Sequence, residues 1–112
     1  MKRLVLLAAF VATTASAHHG WSHYHADKPL QLSGTVEKAS YEHPHGFVEL
    51  KTADKTWHVV LAPPSRMDNR GLSKEMLVKG NSAVVHGYPN RNKPDELRAE
   101  RITIADKTTE LR

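Results

Sequence analysis

The chain has 112 residues and a formal net charge of +4, from 16 lysine and arginine residues against 12 aspartate and glutamate residues. A chain of this length builds one small domain with a modest core. It has no cysteine, which excludes disulfides, iron–sulfur clusters, thiol catalysis and thiolate-ligated zinc or copper.

Residues 1–17 have the three parts of a secretory signal peptide. Two basic residues precede an apolar run at residues 4–12, which is too short to anchor in a bilayer, and the segment ends in a small-x-small sequence. We predict export to the periplasm with cleavage after Ala17. This leaves a single domain, residues 18–112, with a charge of +2 and no membrane span. Without a basic cluster, that domain is not expected to bind nucleic acid.

Most of the remaining chain has the pattern of β-strands. Residues 30–38 alternate apolar and polar side chains with a period of two, which is typical of a strand with one buried face. The strands are predicted at residues 30–38, 46–50, 56–61, 82–88 and 97–105. Leu30, Leu32, Gly34 and Val36 are predicted to share one face of the first strand. The inward side chains of the later strands are predicted to include Val48, Leu50, Trp57, Val59, Leu61, Ile102 and Ile104.

The connections between these strands suggest how they assemble. Pro63-Pro64 ends the third strand, and residues 65–81 favour short helical turns. Residues 106–112 are predicted to be a frayed tail. Five strands with a helical connection between the third and fourth indicate an all-β fold, a small five-stranded OB-like barrel. A small β-sandwich is the alternative.

The sequence resembles a family of small exported bacterial proteins of unknown function. The resemblance rests on "AHHGW", "KPLQLSGTVEKASYEHPHGFVEL", "LSKEMLVKGNSAVVHGY" and "RAERITI", in the family's order. The most distinctive features are the pair His18-His19 after the signal and Pro44-His45. His23, His25 and His43 depart from the family pattern. The resemblance implies an exported small β-barrel and supplies no function. A looser architectural similarity is to periplasmic OB-type copper chaperones, whose Met-rich Cu(I) site is absent here.

Six of the eight histidines fall in one short stretch near the predicted mature start. Neutral imidazole is the commonest protein metal ligand and suits Cu(II), Zn(II) and Ni(II). The candidate metal ligands are His18, His19, His23, His25, His43 and His45.

The predicted mature N-terminus is the first ligand cluster. If His18 is the first residue, its α-amine and imidazole Nδ1 can chelate one metal, and a further imidazole completes a T-shaped site of three nitrogens. Cu(II) favours such tetragonal nitrogen coordination. If Ala17 is retained, His19 stands third from the amine and permits a square-planar site with two deprotonated amides. The alternative is a frayed histidine tail.

Two further histidine pairs lie close behind. His43 and His45 flank Pro44, which restricts the preceding residue to extended geometry and would place both imidazoles on one side. His23 and His25 would share a face if extended, with Tyr24 pointing the other way into the barrel. An exposed turn and an exposed strand face are the alternative interpretations.

The other histidines and the tryptophans have simpler interpretations. His58 and His86 each stand alone in a strand, so we expect a satisfied or surface position for both. Trp21 and Trp57 are expected to pack in the core or at its rim.

We therefore predict a periplasmic protein that binds a metal ion, Cu(II) first and Zn(II) or Ni(II) as alternatives, in metal handling or buffering. The alternative is a non-catalytic OB-type interaction module for a peptide, a glycan or a protein partner in the periplasm. No recognisable catalytic constellation supports an enzyme, although the ligand set would permit a copper oxygenase.

Overall fold

The structure is a computed structural model and describes residues 20–112; the predicted signal peptide, His18 and His19 lie outside the described residues. Six strands, one short helix and two 3₁₀ turns make up the fold. The strands are β1 (Leu30–Ser40), β2 (Phe47–Lys51), β3 (Thr56–Val60), β4 (Ser82–Pro89), β5 (Glu96–Ile104) and β6 (Lys107–Glu110). The helix α1 spans Pro64–Asn69, and the 3₁₀ turns span Trp21–His23 and Lys74–Leu77.

Five of the strands close into a barrel. β1 pairs antiparallel with β2 on one side and with β4 on the other, while β2 pairs with β3 and β4 with β5. A parallel contact between β3 and β5 closes the ring. The predicted all-β, five-stranded OB-like barrel is confirmed, with its helical connection between β3 and β4.

The apolar side chains of the alternating strands fill the barrel. Over residues 30–37 of β1 the polar residues are exposed, while the alternate positions are partly buried or, at Val36, fully buried, as the period of two requires. The helix after Pro63 adds Met67, which is fully buried. Most of the residues predicted to point inward are buried, whereas Leu30, Leu32 and Gly34 are only partly buried. The buried ones are Val36, Val48, Leu50, Trp57, Val59, Leu61, Ile102 and Ile104.

The predicted frayed tail is wrong, because residues 107–110 form β6 on the outer edge of β5. The turn before β6 has Ala105 at φ 52° and Asp106 at φ 67°, the backbone that a two-residue hairpin requires. Alanine is an uncommon residue at such a φ, so the turn has no sequence signature. Beyond it, Thr109 and Leu111 are buried. The C-terminal segment is therefore part of the packed structure.

β6 leads to a prediction about stability. The Thr109 hydroxyl is buried and has no hydrogen-bond partner. Thr109→Val removes this unsatisfied group while keeping the branched shape, so we expect the free energy of unfolding to rise by about 1 kcal/mol. Urea denaturation measures the change. Thr108→Val is the matched control, because the Thr108 hydroxyl is exposed and lies 2.7 Å from the Thr103 hydroxyl; equal gains from both variants would contradict the explanation.

None of the helices within residues 20–112 has the length and apolar character needed to cross a membrane.

Candidate functional site

The N-terminal segment, residues 20–25, runs along the end of β4 and the β4–β5 loop that follows it. The backbone N–H of His25 donates to the Pro89 carbonyl at 2.9 Å, and the N–H of Arg91 donates to the His23 carbonyl at 2.9 Å. Between these bonds, Tyr24 forms a β-bridge with Asn90. These backbone contacts place His23 beside the β4–β5 loop.

Tyr24 fixes this segment against β5 through its side chain. Only 7% of its surface is exposed, and its hydroxyl donates to Glu96 Oε2 at 2.5 Å. The Asn90 side-chain amide donates to the same oxygen at 3.1 Å. Burial first, then the hydrogen bond and charge of Glu96, raise the pKa of Tyr24 to about 12. Tyr24 is buried, but it lies outside the core cluster and lines the cleft on the outer face of the barrel, so the prediction that it points into the barrel is wrong.

The raised pKa of Tyr24 predicts a loss of stability in strong base. The unfolded chain releases the phenol proton near pH 10 and the folded chain near pH 12, so this contribution is complete below pH 10 and falls as the pH rises to 12. We expect Tyr24→Phe to lose less folding stability than the wild type between about pH 9 and about pH 11. Urea titrations at both pH values measure the two losses. Equal losses would contradict the assigned pKa.

A cleft of about 350 Å³ lies on the outer face of the barrel where β3 meets β5. Its floor is formed by Val60, Glu96 and Arg98, and Val60 and Arg98 are register partners. The walls come from the β1–β2 loop, the β4–β5 loop and the N-terminal segment. The wall residues are His45, Asn90, Asn92, Lys93, His23 and Tyr24. The cleft therefore joins two of the predicted ligands, His23 and His45, from separate parts of the chain.

The other predicted ligands have different surroundings. His25 is half-buried, with its Nδ1 3.5 Å from Arg91 Nη1 and 4.0 Å from Asp27 Oδ1. His43 is exposed in the β1–β2 loop and is not one of the residues that line the cleft. Within residues 20–112, no three histidine, aspartate or glutamate side chains are arranged to hold a metal ion.

The two lone histidines differ from each other. His58 Nδ1 lies 2.7 Å from Glu49 Oε2, and its ring packs on Phe47 with the ring centres 4.6 Å apart. The expected satisfied position of His58 is confirmed. His86 is half-buried, which agrees with the expected position near the surface. Its Nδ1 atom, however, is buried and has no hydrogen-bond partner, so the side chain is not fully satisfied.

Sequence reasoning missed Arg98 as a residue of the cleft. Arg98 is 7% exposed, and its guanidinium carbon lies 4.4 Å from the centre of the Trp21 ring. The guanidinium carbon of Arg112 lies 4.5 Å from the same ring. Trp21 therefore packs at the rim, as predicted, and covers Arg98. Arg98 occupies an outward position in β5, so the sequence pattern does not indicate that it is buried.

Two solved structures share the fold. The complex of TiaS with an isoleucine tRNA and ATP is 25% identical, with a TM-score of 0.52 over 76% of this chain and 19% of that chain. The ZRD-deleted mutant of TiaS in complex with agmatine is 24% identical, with a TM-score of 0.52 over 75% of this chain and 22% of that chain. The chain thus spans about a fifth of the length of the solved chains it matches.

None of the curated proteins matches this sequence. Residues 6–97 match the model of a family of unknown function, DUF6152, which covers most of the barrel and the histidine-rich stretch. The chain belongs to the DUF6152 family.

Proposed function

We propose that this protein binds a metal ion, Cu(II) in the first place, and acts in metal handling or buffering after export to the periplasm. The observation that carries the proposal is the cleft lined by both His23 and His45. Two imidazoles from separate segments at one surface are a starting set of nitrogen ligands, which suit Cu(II) and, as alternatives, Zn(II) or Ni(II). The role proposed is non-catalytic.

The predicted mature N-terminus can supply the remaining donors. His18 is two residues before Gly20, and two extended residues span at most about 7 Å. The Gly20 carbonyl accepts a hydrogen bond from the His23 backbone N–H at 3.5 Å, so the chain enters the described structure beside His23. We propose that the α-amine and imidazole of His18 act as ligands at the cleft, where His45 is the third ligand.

Charge in the cleft bears on the metal as well. Glu96 lies on the floor and supplies a carboxylate, while Lys93 and Arg98 in the same cleft are cationic, so Glu96 offsets only part of the positive charge that a bound cation would meet. His43 and His25 remain alternative ligands, with His25 disfavoured by the neighbouring Arg91 guanidinium at 3.5 Å. His19 replaces His18 if Ala17 is retained.

The test is a Cu(II) titration of the processed protein, with EPR spectra recorded at each step. We expect one tight nitrogen-coordinated site, and a loss of affinity of about 100-fold or more in His18→Ala and His45→Ala, since even loss of groups that only orient ligands costs about 10- to 100-fold. His43→Ala is the matched control, because it removes an exposed histidine from the same loop as His45. Absence of tight binding, or equal effects of His43→Ala and His45→Ala, would refute the proposed ligands.

A second candidate function is supported by the position of the cleft. The β1–β2 and β4–β5 loops flank it, and OB barrels bind oligosaccharides and oligonucleotides between the equivalent loops. Under this alternative the cleft takes a peptide, a glycan or a protein partner. Partner binding would then be independent of a free N-terminus at residue 18, whereas the proposed copper site requires it.

A further inference from the structure

The buried arginine in the floor of the cleft lacks the partners that a buried charge normally has. Only 7% of the surface of Arg98 is exposed, and its Nε has no hydrogen-bond partner. Among residues 20–112, no carboxylate lies within ion-pair distance of its guanidinium. Buried charges are normally paired, because the desolvation of an unpaired ion costs several kcal/mol.

The surroundings of Arg98 increase this positive charge. Burial is the main cause that lowers the pKa of Arg98, and its interaction with Tyr24 raises it. The nearby charges of Arg66 and Arg112 lower it further. A guanidinium nevertheless remains protonated in proteins. The Trp21 ring, 4.4 Å away, offers the guanidinium a π face but no hydrogen-bond acceptor for Nε. Arg98 thus lies near two other arginines and keeps an unused Nε donor.

The two glutamates on the same face of β5 are engaged elsewhere. Glu96 Oε2 accepts hydrogen bonds from Tyr24 and Asn90. Glu100 Oε1 accepts a hydrogen bond from the Tyr88 hydroxyl at 2.7 Å, and its oxygens lie 3.6 Å from Arg101 and 3.8 Å from Arg112. Neither carboxylate therefore satisfies Arg98.

The cleft provides room and further donors beside Arg98. Lys93 lines it with a side chain that is 72% exposed and pairs only loosely with Glu96, its Nζ lying 4.0 Å from Glu96 Oε1. Asn90 and Asn92 line it as well. A guanidinium presents its N–H groups in a planar fork that matches the oxygens of a carboxylate or a phosphate. We propose that this cleft binds an oxyanion, a carboxylate or phosphate group, with Arg98 as the main contact and Lys93 as the second.

This site does not depend on the proposed function, because the binding groups are cationic and need no metal. The test uses protein that has been treated with a chelator and dialysed to remove metal ions. Its result is therefore independent of whether the protein binds copper. Inorganic phosphate and acetate are titrated separately while the arginine Nε–H resonances are followed by ¹⁵N–¹H NMR. The Arg98 resonance is assigned by its loss in Arg98→Lys.

We expect the Arg98 Nε–H resonance to move in a saturable way with at least one anion, and the anion that moves it assigns the group to phosphate or carboxylate. Lys93→Gln should weaken the affinity by about threefold, as for an exposed charge, without affecting the fold. Arg101→Gln is the matched control, since Arg101 pairs with Glu110 at 3.0 Å and does not line the cleft, and its affinity should equal that of the wild type.

Three outcomes would overturn the inference. The first is an Arg98 resonance that neither anion moves at millimolar concentration. The second is an equal, non-saturable shift at every arginine, which indicates only ionic screening. The third is an affinity that falls equally in Lys93→Gln and Arg101→Gln. If Arg98→Lys does not fold, the assignment is made by through-bond experiments on the wild type, and Lys93→Gln and Arg101→Gln decide the question.

Discussion

Gly87→Ala is expected to lower the free energy of unfolding by about 4 kcal/mol or more, at the upper end of overpacking effects. An alanine Cβ at this position would overlap the Arg98 carbonyl oxygen and lie 2.9 Å from the Ala99 Cα. Both atoms belong to the backbone of β5, so no side-chain rotation can relieve the contact. A domain of this size has a total stability of only about 5–15 kcal/mol, and the loss is therefore a large part of it.

The close approach arises where the pairing of β4 and β5 is irregular. The register shifts between His86 and Gly87, and Gly87 then stands opposite Ala99. A glycine at such a point commonly marks a bend or a close contact between backbones. Because the displaced atoms include the Arg98 carbonyl, we expect the substitution to disturb the floor of the cleft as well as the barrel.

Urea denaturation followed by circular dichroism measures the effect of Gly87→Ala. Gly80→Ala is the matched control, because a Cβ there would meet no atom within 4 Å, although its φ of 100° imposes backbone strain. We expect the control to lose about 1–2 kcal/mol from that strain. If the Gly87→Ala protein is as stable as Gly80→Ala, β4 and β5 can move apart to accommodate the new Cβ. That result would contradict the prediction, which assumes that the close backbone contact cannot relax.

The barrel was predictable because its strands follow a simple physical rule. A strand with one buried face alternates apolar and polar side chains, and this alternation is clear in β1 and β3. Pro63-Pro64 marks the end of the third strand, and the helix α1 begins at Pro64. Burial of one face and the loss of backbone donors at proline are local properties, so they can be inferred without tertiary contacts.

β6 was not predictable for a complementary reason. Its hairpin turn uses Ala105 and Asp106 at positive φ, where glycine or asparagine would have indicated a turn. Its burial depends on contacts with β5 and α1, including the Leu111 N–H bond to the Glu100 carbonyl at 2.7 Å and the Arg66 Nη1 bond to the Leu111 carbonyl at 2.9 Å. The tertiary packing holds a segment whose local sequence is polar.

The candidate site was predictable only in part. The histidine pattern identified His23 and His45, which line one cleft, together with His25 and His43, which do not line it. Arg98 could not be identified, because its burial depends on contact with Trp21. Trp21 belongs to the N-terminal segment, which is held by hydrogen bonds to the end of β4 and the β4–β5 loop. Contacts between residues so distant in sequence follow from the whole fold, not from a local pattern.

The position of signal cleavage is expected to decide which histidine binds copper. In a chain that begins at His18, the amine and imidazole of His18 act with His45, so His45→Ala should weaken Cu(II) binding by about 100-fold and His19→Ala should have little effect. In a chain that begins at Ala17, the amine, two amides and His19 complete a square-planar site. There His19→Ala should abolish tight binding, and His45→Ala should leave it unchanged.

The two forms can be prepared as separate proteins and compared by Cu(II) titration and EPR at several pH values. An α-amine has a pKa near 8 and must lose its proton to bind, so affinity should fall with decreasing pH in both forms. A sensitivity to His45→Ala that appears only in the chain beginning at His18 would link the N-terminus to the cleft, because His45 lies in the β1–β2 loop. If neither His18→Ala nor His19→Ala affects binding in either form, the N-terminus is not a ligand, and the cleft is then better explained as the binding face of an interaction module.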